Sequence, residues 1–346
     1  GGTPVSKLYP TANFNCAFII IDDFQAFCEM FYLLMVGAGV GFRTMPYDIE
    51  KLPPYRTGIK LTAKPYVPIP KEFRNENTEL HIDGNKAQII VGDSKEGWVQ
   101  ALDTYFKLLT SPQYETVNEI EIVYDHVRPK GERLVRFGGT ASGHESLKIM
   151  FEKIHRVMES AGGKLRPIHA LDIGNIIGKN VVSGGVRRTA QINLAAKDDM
   201  EIEDAKNHIF YQDENGNVVA NNDLLHRTIS NNTIYYEEKP TREELHQNFL
   251  NMRRTGERGI MNVQAARKRR EDGEGLNPCG EAILANRGLC NLSTVNVMAF
   301  VENGKLNRPA LYRAFELATR IGVRMTLVDL ELPKWDEQQK KDRLIG

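Results

Sequence analysis

Asn277-Pro278-Cys279-Gly280-Glu281 sets an amide, a thiol and a carboxylate at every second position of a five-residue stretch. In extended backbone, successive side chains point to opposite sides. If this stretch is extended, all three therefore project together, roughly 6 to 7 Å apart along the chain, toward one ligand. Pro278 restricts and Gly280 widens the backbone angles between them, as a fixed loop tip requires. Cys290 follows within Leu289-Cys290-Asn291-Leu292-Ser293-Thr294-Val295-Asn296. Such a trio suits radical chemistry on a sugar. A thiyl radical takes a hydrogen atom from a ring carbon, a carboxylate takes the proton of the neighbouring hydroxyl, and an amide holds the substrate.

Upstream, residues 14–21 read Phe-Asn-Cys-Ala-Phe-Ile-Ile-Ile, an apolar β-type run that puts Cys16 in a strand. Asp22-Asp23 supplies an N-cap for a helix over Phe24–Val36. The glycines of Gly37-Ala38-Gly39-Val40-Gly41 stop that helix and let backbone approach something closely. Residues 45–136 are proline-rich at first, then predict a strand at 88–91, a helix at 95–109 and a strand at 118–124. This reads as an elaborated insertion. A glycine loop at 138–143 feeds an amphipathic helix through Leu147, Phe151, Ile154 and Met158. A second apolar helix covers 170–182 and leads through Ser183-Gly184-Gly185-Val186-Arg187-Arg188-Thr189 into a strand at 190–194. Further helices are predicted at 242–254 and 309–327. The alternation of strands and helices places the chain in the α/β class.

Composition narrows the field. With 41% hydrophobic and 26% charged residues, the chain is neither disordered nor fibrous, and 346 residues suffice for two domains or one large α/β barrel with insertions. Forty-five basic residues balance forty-five acidic ones, so no global field favours nucleic acid or a membrane surface, and any anion site must be local. The apolar runs are too short to cross a bilayer and no secretory signal is present, which leads to the cytosol. Four cysteines without a C-x-x-C pair, and histidines without metal spacing, exclude a disulfide scaffold and give no metal ligand. The chain begins at Gly1 without methionine and stops at Gly346 after a charged amphipathic stretch, as expected of the middle piece of a longer protein.

The Asn277–Glu281 motif, followed at this spacing by Cys290-Asn291-Leu292, resembles the active-site loop and following strand of ribonucleotide reductases. Phe14-Asn15-Cys16 resembles that family's first strand. Gly1-Gly2-Thr3-Pro4 and the stretches at 37–43, 137–143 and 182–194 are similar, in the same order, to the monomeric adenosylcobalamin-dependent ribonucleoside-triphosphate reductases. The resemblance implies part of a ten-stranded α/β barrel, truncated at both ends, with a central finger loop bearing the radical cysteine and shielded by the strands around it. It implies that Cys279 becomes the thiyl radical that takes the 3′ hydrogen. Glu281 would deprotonate the 3′ hydroxyl and Asn277 would bond the sugar. Cys16 and Cys290 would protonate the departing 2′ hydroxyl, supply two electrons and end as a disulfide, which requires Cα atoms closer than about 7 Å. Thr3 and Asn15 match positions near the substrate. A ribonucleotide substrate, adenosylcobalamin, a deoxynucleotide effector bound by the 45–136 insertion, a thioredoxin-like reductant and a monomer are implied with it.

Other readings stand beside this one. Cys28, amid Phe27, Met30 and Phe31, reads as core. The glycines at 37, 39 and 41 are either a helix stop or a nucleotide contact, and Arg187 and Arg188 either a phosphate or cofactor site or a solvated pair. The basic run at 267–270, flanked by acids and without aromatics, reads as solvated surface. Within the family, a diphosphate-specific enzyme or one that uses a separate diiron subunit carries the same five residues. The alternative of another class is an inactive truncated nucleotide-binding module.

Overall fold

The computed structural model describes residues 4–134, 140–183 and 189–346, with backbone alone at 4, 5, 182, 183 and 254. In chain order, α1 (Pro4–Leu8) precedes β1 (Cys16–Ile20), α2 (Phe24–Val36), β2 (Gly39–Arg43) and α3 (Pro46–Ile49). A second unit follows: β3 (Lys60–Ala63), β4 (Glu79–Asp83), β5 (Lys86–Ile90), α4 (Lys95–Thr110) and β6 (Glu119–Val123). The chain returns through α5 (Glu145–Ser160), α6 (Pro167–Ser183), β7 (Gln191–Ala195) and α7 (Met200–Asp204). A small hairpin of β8 (Phe210–Gln212) and β9 (Val218–Ala220) leads to β10 (Ser230–Tyr236), α8 (Arg242–Thr255), β11 (Gly259–Asn262) and α9 (Val263–Arg267). Two further hairpin strands, β12 (Gly275–Leu276) and β13 (Ile283–Leu284), precede β14 (Leu289–Asn291). After β15 (Val301–Glu302) and β16 (Lys305–Leu306) come α10 (Arg308–Met325), α11 (Pro333–Asp342) and β17 (Leu344–Ile345).

Local chemistry sets these boundaries. Asp23 caps α2 by accepting the Ala26 N–H, and Gly37 ends it at φ 96° in the left-handed region that glycine adopts without penalty. Thr241 and Glu244 form a reciprocal capping box at the start of α8.

Seven strands form the main sheet in the order β11-β10-β7-β2-β1-β14-β17. From β11 to β1 all neighbours are parallel, as strands joined by helical crossovers are; β14 then runs antiparallel to β1 and parallel to β17. The sheet is a curled half-barrel, the described share of the expected barrel. Alternation along β1 divides its side chains. Ala17 and Ile19 pack with Phe27, Met30, Phe42 and Ile173 under the helices. Cys16, Phe18 and Ile20 face the other way, into a smaller cluster with Leu276, Leu284 and Cys290. The second unit is a four-stranded sheet, β3-β6-β5-β4, packed on α4 and α5 and lying within the expected insertion. Among the described residues, no helix is long and apolar enough to cross a membrane.

Candidate active site

β1 and β14 meet with Cys16 directly opposite Cys290 and Ala17 opposite Leu289. Directly opposed residues of an antiparallel pair have Cα atoms about 4.5–5.5 Å apart, within the span a disulfide bridges. Both thiols are free and buried, at 5% and 4% exposure, on the face turned away from the helices.

The hairpin of β12 and β13 crosses that face, and residues 277–281 form its tight turn, the loop tip that Pro278 and Gly280 suggest, rather than an extended segment. The Gly280 N–H donates to the Asn277 carbonyl at 2.9 Å, and Gly280 sits at φ 81°. Pro278 at the second position and a left-handed glycine at the fourth are the chemistry of a tight turn, and they bend the chain where alternation would have kept it straight. As a result Asn277 is fully buried while Cys279, Gly280 and Glu281 are exposed. Thus the three side chains do not form one row, and among the described residues nothing encloses the turn that carries Cys279.

The turn is nevertheless fixed over the cysteine pair. Asn277 Nδ2 donates to Cys16 Sγ at 3.1 Å, while Asn277 Oδ1 accepts the Ala282 N–H at 3.0 Å. Beneath it, Gly39 and Gly41 make room: a Cβ at Gly39 would touch Pro278 Cγ at 3.0 Å, and one at Gly41 would lie 1.8 Å from the Leu276 carbonyl oxygen. On the hairpin, a Cβ at Gly275 would collide with the Phe18 ring at 2.0 Å. The glycines after α2 therefore do both things asked of them, Gly37 as helix cap and the other two as the floor under the hairpin.

At its base the hairpin is tied to Arg43, which sequence reasoning did not single out. The buried guanidinium donates to both carboxylate oxygens of Asp48, at 2.7 and 3.1 Å, to Tyr235 Oη at 3.0 Å and to the Glu274 carbonyl at 3.3 Å. Burial by itself would lower the Arg43 pKa, but the hydrogen bonds and charge of Asp48 hold it above the ordinary value.

Electrostatics makes the cysteine pair reluctant to ionise. Burial raises the Cys16 thiol, the Asn277 hydrogen bond opposes this, and the charges of Glu281 and Cys279 raise it further. Cys290 is pushed up to about 11, first by burial and then by Cys16 and Glu281. Both thiols thus hold their protons at neutral pH, as donors of hydrogen rather than as thiolates. Glu281, although exposed at the turn, is felt electrostatically at both sulfurs.

Asn15 is exposed beside Cys16, and its Oδ1 accepts the Leu292 N–H at 3.0 Å. Thr3, Arg187, Arg188 and part of the 138–143 glycine loop lie outside the described residues. Cys28 is wholly buried in the helical core, and burial raises its thiol. Among the described residues no group of acidic, histidine or cysteine side chains could hold a metal ion.

A cavity of about 380 Å³ lies where the second unit meets the ends of α2 and α6; Ser94, Trp98, Arg128, Ser142 and Asn180 are among its lining residues. Among the described residues, neither amide atom of Asn180 has a hydrogen-bond partner, although the residue is only 5% exposed.

Residues 71–158 match the family model of the B12-dependent ribonucleotide reductase insertion domain. Over its whole length the chain is 33% identical to an adenosylcobalamin-dependent ribonucleoside-triphosphate reductase of Lacticaseibacillus paracasei, of which it covers 50%. It is 32% identical to the protein of that name from Lactobacillus leichmannii, over 92% of this chain and 44% of the relative. A crystal structure of a B12-dependent (class II) ribonucleotide reductase superposes with a TM-score of 0.73 at 28% identity, covering 96% of this chain and 49% of the other. The chain spans about half the length of the curated relatives it matches.

Proposed function

The chain is homologous to the adenosylcobalamin-dependent ribonucleotide reductases over about half of their length, and from that premise we propose that the protein reduces ribonucleoside triphosphates to 2′-deoxyribonucleotides by thiyl-radical chemistry. The observation that carries this reading is the Cys16–Cys290 register beneath the hairpin that bears Asn277, Cys279 and Glu281.

Adenosylcobalamin, when bound, would supply the radical that removes hydrogen from Cys279. The exposed turn suits this, because a group arriving from outside the sheet can reach that thiol without displacing a strand. The remaining steps belong to the chain's own residues. Cys279, as the thiyl radical, takes the 3′ hydrogen, and Glu281 accepts the 3′ hydroxyl proton. Asn277 gives one N–H to Cys16 and keeps its second for a sugar hydroxyl. Cys16 and Cys290 together give two protons and two electrons: one proton leaves with the 2′ hydroxyl as water, the other and the electron pair form the new C2′–H bond, and the two sulfurs join. The hydrogen returns to C3′ from Cys279, which regains its radical, and Glu281 gives its proton back to the 3′ oxygen. Asn15, at the mouth beside Cys16, would contact the substrate, and Thr3 would do so from the segment before α1.

A deoxynucleotide effector would bind in the 380 Å³ cavity beside the insertion, where Trp98 offers a face for a base, Arg128, now paired with Asp93, a cation for phosphate, and Asn180 an amide without a partner among the described residues. A thioredoxin-like dithiol would re-reduce the cysteine pair, and the complete protein would act as a cytosolic monomer.

The test uses the full-length natural protein with a ribonucleoside triphosphate, adenosylcobalamin and a dithiol, measuring deoxynucleotide formed. Activity should be lost in C279A. In C290S it should stop within about one turnover, and continued turnover by either variant would refute the assignment.

A further inference from the structure

We propose that Arg287 is a positioning residue that fixes the register at which Cys290 faces Cys16; the proposal rests on reading those two thiols as the redox pair. The ladder between β1 and β14 comprises two residue pairs. A slip of one residue would turn the Cys290 side chain to the opposite face of the sheet, out of reach of Cys16. Backbone hydrogen bonds do not prevent this, since they re-form one pair along. Something specific to sequence has to.

The turn that enters β14 supplies it. The Gly288 N–H donates to the Ala285 carbonyl, and Arg287, at the third position of this turn, has φ 59°. That left-handed position favours glycine or asparagine over a long side chain. Arginine occupies it and uses its side chain: Nε donates to Glu29 Oε2 on α2 at 2.8 Å, and the same oxygen accepts Nε1–H of the fully buried Trp335 on α11 at 2.9 Å. Both partners of the ion pair are nearly sealed from solvent, with 12% and 9% of their side chains exposed. The Arg287 N–H also donates to the Phe18 carbonyl, and Asn286 Oδ1 accepts the Ile20 N–H. The entrance to β14 is thereby pinned at once to β1, to α2 and to α11. Cys290 lies three residues beyond the pin, too few for slack to accumulate.

The test uses the fully reduced full-length protein and an azodicarboxamide oxidant. The oxidant takes one proton and one electron from each of the two thiols, becoming the hydrazine as the S–S bond forms. Formation of the Cys16–Cys290 cross-link is followed by mass spectrometry of alkylated digests. R287G keeps the turn, because glycine prefers that backbone angle, and should slow the cross-link at least tenfold; it also leaves Glu29 without its buried partner and lowers the melting temperature, so rates are compared well below the unfolding transition of both proteins. E29Q, which keeps the volume and removes the charge, should slow it comparably, and R287K should recover most of the wild-type rate. Equal rates in wild type, R287G and E29Q would overturn the proposal. A wild-type protein that forms no such cross-link would instead refute the redox reading. The register is then decided by amide exchange over residues 287–291, where unchanged protection in R287G overturns the pin and accelerated exchange upholds it.

Discussion

Asn277 donates a side-chain N–H to the sulfur of Cys16 at 3.1 Å, across 261 positions of sequence. The bond links the turn that carries Cys279 to the buried pair, and it stabilises the Cys16 thiolate against the effect of burial. In N277A that stabilisation is gone, so the Cys16 pKa rises. The pH profile of Cys16 alkylation by iodoacetamide in the folded protein should move to higher pH, while that of Cys28 stays in place. A Cys16 profile that does not move would show that the contact is electrostatically idle.

The raised thiol of Cys290 ties stability to alkaline pH. In the unfolded chain a cysteine ionises near pH 8.5, whereas in the fold Cys290 holds its proton to about 11. The folded state therefore binds more protons between these values. The stability contributed by the protonated thiol is complete below about 8.5 and is lost as pH rises through 11, with a slope of at most about 1.4 kcal/mol per pH unit. Urea unfolding across this range should show a shallower decline in C290A than in wild type.

Removing the partner of Arg43 should be costly. D48N leaves a buried guanidinium without its carboxylate, a change worth about 3–5 kcal/mol in comparable cases. The urea midpoint should fall accordingly. Amide exchange in the β12–β13 hairpin should accelerate more than in the distant β3–β6 sheet, since Arg43 also holds the Glu274 carbonyl.

A methyl group at position 41 has nowhere to go. G41A would set a Cβ against the Leu276 carbonyl oxygen, so the hairpin must lift or the sheet must give, at about 1–3 kcal/mol. G58A is the control: it has open space around it, and its left-handed φ of 73° carries only a local backbone cost. The larger loss in Tm, together with faster alkylation of Cys16 once its cover lifts, is expected in G41A.

Much of this arrangement is readable from the chain alone, for identifiable reasons. The Asp23 cap, the Gly37 stop and the helix between them follow from local chemistry and fall where the sequence puts them. Cys16 in an apolar strand and Cys290 after a fixed interval are local signals too, while their opposition across the sheet follows from the family resemblance. At 277–281 the sequence offers two readings, an extended segment that would align the three polar side chains and a loop tip set by Pro278 and Gly280; the turn forms because those two residues carry the stronger backbone preference. Arg43 and Arg287 gave no signal of their own. Each is one arginine among many, and its meaning comes from Asp48, Glu29 or Trp335, the last two far away in sequence. The enclosure expected around Cys279 is not present among the described residues, because their seven strands curl without closing.

The reversal of strand direction between β1 and β14 has a mechanical side. Oxidising Cys16 and Cys290 would rivet the parallel set of strands to the reversed pair and close residues 16–290 into one covalent ring. Ring closure on that scale restricts the denatured ensemble by about 6 kcal/mol in the chain-entropy limit. Each catalytic cycle would then alternate between a looser and a tougher molecule, and the reductant would have to open the tougher one.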